Sequence, residues 1–388
     1  MSVETTRYIG MDIHKHFVMI VGVDANHEVV LTSRRVSTKR LGDWAIKHLT
    51  QTDEVIMEAT TNVWVLHDLV CPHVKKVTVV HPFHVKIITG SFVKTDKKDA
   101  LALARLLVTK LAPAIWIPTQ HVRELRSLIS HRKHLVKQRT AAKNRLQGII
   151  FRYNLTAPTG DLYAQINREW WNAQELSSIE ALRIRQDLQT IDFFTQQIDD
   201  VESLIAQLSI TEEWAEAMAC VMQLPGVALV SAMTILSAIG DIERFATAKK
   251  LSGYAGLGTR IHASGTTFSS GKITKQGRTE LRQVLIEVAW AAVQNSPIWR
   301  ERYQKLAYKK GSQKAIVAIA RRILVTIWHV WQKREQYNDT TVDAIQRKFT
   351  RWAYSYKLAR SQGYTAKQFT EMMLSKIKLK TPVLAVAQ

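Results

Sequence analysis

Four acidic side chains stand where they can gather divalent cations: Asp12 closes the apolar run Tyr8-Ile9-Gly10-Met11, Glu58 closes Val55-Ile56-Met57, and Asp96 and Asp99 follow further on. A short apolar run that ends in an acid reads as a buried strand delivering a carboxylate to a sheet edge. Asp96 and Asp99 are three residues apart, which sets both on one face of a helix. At a helix start the macrodipole favours their ionised forms. Hard oxygen donors around one crevice suit Mg²⁺, which takes few protein ligands and keeps waters or phosphate oxygens. Two such ions about 4 Å apart can clamp the attacking and leaving oxygens of an in-line displacement. Any one of these acids alone reads as a helix cap or a solvated turn residue, so the chemistry rests on their joint occurrence.

The elements that must position them follow from periodicity. Residues 8–36 alternate apolar and polar around a turn at Asp24-Ala25-Asn26, which predicts a three-stranded meander. Helical spacing over 41–49, 64–70 and 99–110, with short strands at 54–59 and 76–81, completes an α/β mixed sheet flanked by helices. Beyond it the chain turns helical. Leu125, Leu128, Leu135, Ala142, Leu146, Ile149 and Tyr153 form one apolar stripe, and Leu188, Ile191, Thr195, Ile198, Val201, Ile205 and Leu208 another. The pair predicts an antiparallel coiled-coil arm, with a plain helical bundle as the alternative. Leu224-Pro225-Gly226-Val227 reads as the turn of a helix-hairpin-helix-like element, whose backbone N–H groups can face phosphate. Residues 257–277 are rich in Gly, Ser and Thr and read as a long functional loop. A helix over 279–294 and another with Ile316, Ile319, Ile323 and Ile327 as its core stripe follow, then a basic, partly helical tail. The expected division is 1–115, 116–215 (the arm), 216–335 (a mainly helical domain) and 336–388 (the tail).

The 388 residues carry a net charge of +21, unevenly placed. Residues 121–155 hold nine Lys or Arg against one acid, and 300–360 hold fifteen against four, so two blocks supply nearly all of the excess. Concentrated cations on an otherwise balanced chain are the footprint of a polyanion binder. Nucleic acid is favoured over an anionic membrane, because neither block has the broad apolar face of an interfacial helix. Cys71 and Cys220 lack metal-ligand spacing and read as reduced thiols of a cytoplasmic protein. Residues 221–240 run without a charge, but Pro225, Gly226 and Gly240 interrupt them, so a buried helical hairpin is expected there and no membrane partner.

Taken in order, Tyr8-Ile9-Gly10-Met11-Asp12, Met57-Glu58-Ala59-Thr60 and Lys94-Thr95-Asp96-Lys97-Lys98-Asp99-Ala100 resemble the DEDD-type insertion-sequence transposases of insertion-sequence family one hundred ten. A second block is similar to that family's C-terminal transposase domain. It comprises Leu224-Pro225-Gly226-Val227, Arg244-Phe245, Leu251-Ser252-Gly253-Tyr254-Ala255-Gly256-Leu257, Ser264-Gly265 and Lys275-Gln276-Gly277-Arg278 through Leu281-Arg282. The resemblance implies a ribonuclease-H-like, RuvC-like N-terminal domain with Asp12, Glu58, Asp96 and Asp99 as catalytic Mg²⁺ ligands. It sets Ser264 at the position of a serine nucleophile that becomes covalently joined to DNA. A serine hydroxyl needs activation; His262 is a candidate base, and Ser269 and Ser270 are rival nucleophiles by composition. The resemblance further implies a homodimer assembling to a tetramer on donor and target DNA, guided by a non-coding bridge RNA. The groups set against nucleic acid are Lys94, Arg132, Lys133, Arg139, Lys143, Gly226, Arg260, Lys272, Lys275, Arg278 and Arg282.

Other functions remain in view. A Holliday-junction-type metal nuclease would use the acids without the serine. A site-specific DNA invertase of the same family, such as a pilin-gene inverting protein, would share both blocks. A sugar-kinase or actin-like ATPase also opens on Gly-x-Asp but requires Gly-rich phosphate loops, and none is convincing. A non-catalytic nucleic-acid binder explains the charge, yet leaves four acids that repel phosphate unless cations intervene.

Overall fold

A computed structural model describes residues 7–83, 95–264 and 267–379, with 261–264 and 267–270 described by their backbone alone. Lys94 and the side chains of His262, Ser264, Ser269 and Ser270 lie outside the described residues. The chain divides into two compact units, Met1–Pro118 and Thr119–Gln388.

The first unit is built on a five-stranded sheet in the order β3-β2-β1-β4-β5, from β1 (Arg7–Ile13), β2 (Phe17–Val23), β3 (Val29–Ser37), β4 (Asp53–Glu58) and β5 (Lys76–Val80). The first three strands pair antiparallel, and β4 and β5 add in parallel beside β1. The meander closes at two tight turns. His14 N–H donates to Phe17 O at 2.9 Å, and Asp24 Oδ1 accepts the N–H groups of Asn26 and Glu28, each at 2.9 Å. Period-two alternation gives the sheet two faces. Ile9, Met11 and Ile13 bury against Leu41, Trp44 and Ala45 of α1 (Leu41–His48) and Val63, Leu66 and Val70 of α2 (Val63–Val70). Tyr8, Gly10 and Ile56 face α3 (Asp96–Val108), whose Leu103, Leu106 and Leu107 complete a smaller core.

Gly10 is what lets α3 lie on β1. A Cβ there would stand 1.9 Å from Ala100 O and 2.6 Å from Ala104 N, so the helix backbone occupies the space a side chain would need. Ala100 and Ala104, one turn apart and fully buried, are the helix's matching small residues.

The second unit opens with α4 (Gln120–Arg152), which pairs with α6 (Ser178–Leu208). Cross-links descend in register, from Arg132 to Glu202, Arg145 to Asp187 and Arg152 to Glu180, so the pair is antiparallel. Trp171, on the short α5 (Arg168–Asn172), covers one end of their seam and donates Nε1–H to Leu162 O at 3.0 Å. The seam differs from the expected one: Ile129 is buried in preference to Leu128, Tyr153 is exposed past the helix end, and Thr195, Val201 and Leu208 are only half-buried.

The uncharged stretch 221–240 is divided between α7 (Glu212–Met222) and α8 (Leu229–Ile239) around the Pro-Gly turn. Then come α9 (Ala248–Tyr254), a ribbon of β6 (Thr259–Ser264) and β7 (Thr267–Ile273), α10 (Thr279–Asn295), α11 (Pro297–Lys310) and α12 (Ser312–Lys333). Among the described helices α12 alone is long and apolar enough to cross a membrane; half of its apolar window is buried inside the protein, including Ile316, Ile319, Ile323 and Ile327.

Residues 336–379 form a folded layer, a correction to the expected tail. Phe349 and Trp352 of α13 (Val342–Tyr354) and Phe369 of α15 (Ala366–Leu374), separated by the short α14 (Leu358–Ser361), are almost wholly buried. Trp352 donates Nε1–H to the buried Ser209 Oγ at 3.0 Å, and Gln223 Oε1 accepts the N–H of Tyr337 at 2.9 Å. The partners lie 143 and 114 residues away in sequence, which is why a local reading leaves this segment unanchored. Trp352→Ala is expected to destabilise the protein by about 4 kcal/mol through lost burial and an orphaned hydroxyl. Urea unfolding followed by circular dichroism would measure it, and a loss within experimental scatter of zero would contradict this packing.

Candidate metal centre and serine ribbon

Three of the four expected acids, with a histidine that the sequence reading passed over, converge at one corner of the first unit. Asp12 lies on the α3 face of β1, two residues beyond Gly10. Asp96 begins α3 and Asp99 follows within its first turn, with Thr95 Oγ1 capping the helix by accepting Lys98 N–H at 3.3 Å. His14 Nε2 stands 3.1 Å from Asp12 Oδ2 and 3.5 Å from Asp96 Oδ2. Ligand atoms of Asp12, His14 and Asp96 all lie within 4.8 Å of one another. Glu58 ends β4 on the same sheet face. Met11 pairs with Met57, so one further step in the parallel register sets Glu58 level with Asp12.

The electrostatics express the crowding. Burial, and then the charges of Asp99 and Asp96, raise the Asp12 carboxyl above its ordinary value, against the opposing pull of His14. Asp53 makes a useful contrast: it is fully buried, but Arg7 Nε and Nη2 reach it at 2.8 and 2.6 Å and Thr50 N–H at 2.7 Å. One buried acid is neutralised by the fold, whereas the Asp12 cluster gathers like charge that a divalent cation would balance. Hard carboxylate oxygens with one imidazole fit such an ion.

Two contacts hold His14 in place: the turn bond to Phe17, and Asn62 Nδ2 donating to His14 O at 3.4 Å. A lone histidine two residues after Asp12 reads as a turn residue. The available signal was the i, i+2 spacing that returns a side chain to the same face.

Ser264 is carried by the ribbon, not by the loop expected over 257–277. Its backbone pairs with Thr267 in the last register pair of the ribbon, so the serine ends β6. Composition pointed to a loop, but β-branched residues at positions 259, 261, 267 and 273 support strand pairing. Motif residues far apart in sequence meet at the ribbon's base. Gly256 and Gly277 have φ of +68° and +90°, and a Cβ on either would stand 2.2 Å from Gln276 O or 2.1 Å from Tyr254 O. Arg282 Nη1 donates to Ala255 O at 3.2 Å and Arg278 Nε to Tyr254 Oη at 3.1 Å.

Behind that base lies a cationic cluster that joins the motif residues Arg244, Tyr254 and Arg278 to Arg126, which the sequence does not single out. Arg126 donates to Ser237 O and Ala238 O at 2.8 and 3.1 Å, Arg244 to Ile239 O at 3.0 Å, and Tyr254 Oη–H to Ala238 O at 3.1 Å. Together they cap the C-terminus of α8. Burial, then Arg278, bring Arg126 down to about 10, while burial also lowers Arg244. Burial alone would push the Tyr254 phenol up, but Arg278, Arg244 and Arg126 outweigh it and lower the phenol.

The expected nucleic-acid contacts divide by geometry. Arg132 faces Glu202 across the helix pair and Arg139 donates to Thr195 Oγ1 at 3.3 Å, so both turn towards α6 where a phosphate-facing surface was expected. Lys143 Nζ lies 4.7 Å over the Tyr163 ring, while Lys133, Lys272 and Lys275 are exposed. Arg260 is exposed and donates to Thr274 O at 3.3 Å. Gly226 has a packing reason for being glycine: a Cβ would stand 2.4 Å from Val288 O and 2.6 Å from Ala292 N of α10. On the same turn Lys348 donates to Leu224 O at 2.5 Å, and burial brings its ammonium down to about 7.

Comparison with known proteins matches both parts of the chain. Residues 9–154 fit a DEDD-type family model described as "Transposase", and residues 218–304 fit the "Transposase IS116/IS110/IS902 family". The chain is 26% identical over 349 residues to the transposase for insertion sequence element IS1111A of Coxiella burnetii, covering 87% of this chain and 92% of that protein. It is 27% identical over 348 residues to the pilin gene-inverting protein of Moraxella bovis, covering 85% of this chain and 97% of that protein. To the putative transposase y4qE of Sinorhizobium fredii it is 26% identical over 290 residues, or 74% and 70% of the two chains.

Proposed function

We propose, from the premise that this chain belongs to the DEDD-type IS110 family of transposases, that it cuts and rejoins DNA through a serine–phosphate intermediate. The observation that supports metal-dependent DNA cutting is the gathering of Asp12, His14 and Asp96 at one corner, with Asp99 in the same helical turn; the serine is carried over from the family motif. Asp12, Asp96, Asp99 and Glu58 are the residues that would hold Mg²⁺. When bound, a divalent cation stabilises charge on phosphoryl oxygens and lowers the pKa of a nearby hydroxyl.

In this reading Asp12, Glu58, Asp96 and Asp99 would hold the cation against which the scissile phosphate lies, because the bare carboxylates would repel it. Ser264 Oγ gives up its proton and attacks phosphorus, an Oγ–P bond forms, the bond to the leaving deoxyribose oxygen breaks, and a proton passes to that oxygen, so that the serine's loss and the leaving group's gain balance. Rejoining reverses these changes with a different strand end. The ribbon supports the serine's role, because a residue that ends a strand of a short ribbon can be offered to a duplex. Serine and acids lie in different compact units, so the site can be assembled from two subunits of a dimer, and of a tetramer on donor and target DNA. Residues 300–360, with exposed Lys133 of the first block, fit a second polyanion beside DNA, a non-coding bridge RNA whose pairing chooses the sites; Arg132, Arg145 and Arg152 of the first block pair instead with acids of α6. Inversion of a DNA segment would use the same steps, and one relative is named for pilin gene inversion.

A second reading rests on the location of the acid cluster wholly within the first unit: water, not serine, would attack, as in a metal-dependent nuclease. The full chain incubated with element-end DNA and Mg²⁺, quenched in denaturant and mapped by peptide mass spectrometry, separates the two. The serine reading predicts phosphate on Ser264 and no adduct in Ser264→Ala, with strand cleavage down at least about 1,000-fold. Undiminished cleavage by Ser264→Ala would establish hydrolysis instead.

A further inference from the structure

The face of the sheet that bears Asp12 also bears an arginine that the mechanism above leaves unused. Asp12 pairs with Met19, and Met19 pairs with Arg35, so the three form one row across β1, β2 and β3. Residues directly opposite in antiparallel strands share a face, and two strand spacings put the Arg35 backbone about 10 Å from that of Asp12. Phe17, two residues from Met19, joins the two ends of this row. Its ring stacks on His14 with centroids 4.4 Å apart and planes at 21°, and Arg35 Cζ lies 3.7 Å from its centroid. His14 in turn reaches Asp12 and Asp96. A continuous set of contacts therefore runs from the guanidinium to the carboxylates.

Arg35 is exposed and makes no ion pair among the described residues. That is informative, because three carboxylates sit on the same corner and an arginine is long enough to turn towards them. With Cζ 3.7 Å over the Phe17 ring, the guanidinium is held against the sheet face, and its planar fork remains available to an anion. Acids that share one imidazole at one end of the row, and an arginine with no ion pair among the described residues at the other, suit a group with anionic oxygens towards the arginine and cation-sharing oxygens towards the acids. A DNA phosphodiester has that character; a neutral sugar does not.

We propose that Arg35 grips a phosphate of the DNA strand engaged at the acids, with Phe17 as the platform that fixes its orientation. The inference rests on the reading that DNA is cut at the Asp12 corner, and deepens it by naming a substrate-binding residue. Planarity matters: a lysine keeps the charge but loses both the stacking surface and the two-pronged grip on phosphate oxygens.

The test uses the full chain, wild type and the variants Arg35→Ala and Arg35→Lys, with a duplex oligonucleotide carrying the element's end sequence. Cleavage is followed in Mg²⁺, and binding is followed in EDTA across a salt series. Arg35→Ala is expected to cut about 10- to 100-fold more slowly at an unchanged melting temperature. Its slope of log affinity against log salt is expected to become shallower by about one, the signature of one lost phosphate contact. Arg35→Lys is expected to restore the slope but only part of the rate. If Arg35→Ala matches wild type in rate and slope, Arg35 merely covers Phe17 and the proposal is overturned. Failure of wild type itself to cut would instead count against the catalytic reading, and the binding slope in EDTA would still decide the role of Arg35.

Discussion

Asp12→Asn is expected to abolish strand cleavage while leaving the metal-free protein at least as stable as wild type at neutral pH. Burial and the neighbouring Asp99 and Asp96 hold the Asp12 carboxyl above its ordinary value of 3.8, so its ionised form is less favourable in the fold than in the unfolded chain. The sign follows from linkage: its contribution is fully present below 3.8 and is lost as pH rises through the raised value. Asparagine has no charge to bring into the crowd, so its advantage in the absence of metal should be missing in acid and should appear as pH climbs. With a divalent cation the order reverses. Wild type should gain about 2.7 kcal/mol when the ion is present at a hundred times its dissociation constant, and the variant should gain little. Losing one anionic ligand from the site is expected to slow cleavage by on the order of 1,000-fold, equivalent to about 4 kcal/mol of transition-state stabilisation. Melting curves with EDTA and with Mg²⁺ at pH 3.5 and pH 7, read beside a cleavage assay, test the whole pattern. A variant less stable than wild type in EDTA at pH 7 would show that Asp12 serves the fold and not a cation.

Gly10→Ala tests how that carboxylate meets its partners. The added methyl would fall 1.9 Å from Ala100 O, closer than any real contact, and backbone cannot swing away as a flexible side chain does. The helix must lift from β1, carrying Asp96 and Asp99 with it, since both belong to its first turn. Overpacking of this kind is expected to cost about 3 kcal/mol. Cleavage should fall even under conditions where the variant is fully folded, and a higher Mg²⁺ concentration should recover part of it, because the ligands are displaced but not removed. Equal stability and equal metal demand in the two proteins would mean that α3 is free to slide, and that the acids are not held by this contact.

Several elements were legible in the chain because their signals are local. Alternation over 8–36 marks the meander, an acid after a buried run marks the end of β1 and of β4, and threefold spacing places Asp96 and Asp99 in one helical turn. The two long stripes after residue 120 mark α4 and α6. What was missed depends on partners remote in sequence. The ribbon that bears Ser264 looked like a loop because a two-stranded pairing is a property of register, not composition. Arg126 joins Arg278 and Tyr254 through the carbonyl end of α8, more than 100 residues from its own position. Trp352 needs Ser209 before residues 336–379 become a layer of the core.

By itself the chain determined which carboxylates end which strands, that a helix would open on two more, and that its cations would fall in two blocks. These are consequences of periods of two and 3.6 residues and of charge, and need no knowledge of what lies opposite. Tertiary structure alone decided that His14 would stand among the acids, that Arg35 would lie in the row of Asp12, and that Arg132 would turn to Glu202. The physical reason is that strand register and helix packing choose neighbours by shape and burial across long loops. Nothing in the sequence spacing of two residues encodes which partner they will meet across a sheet.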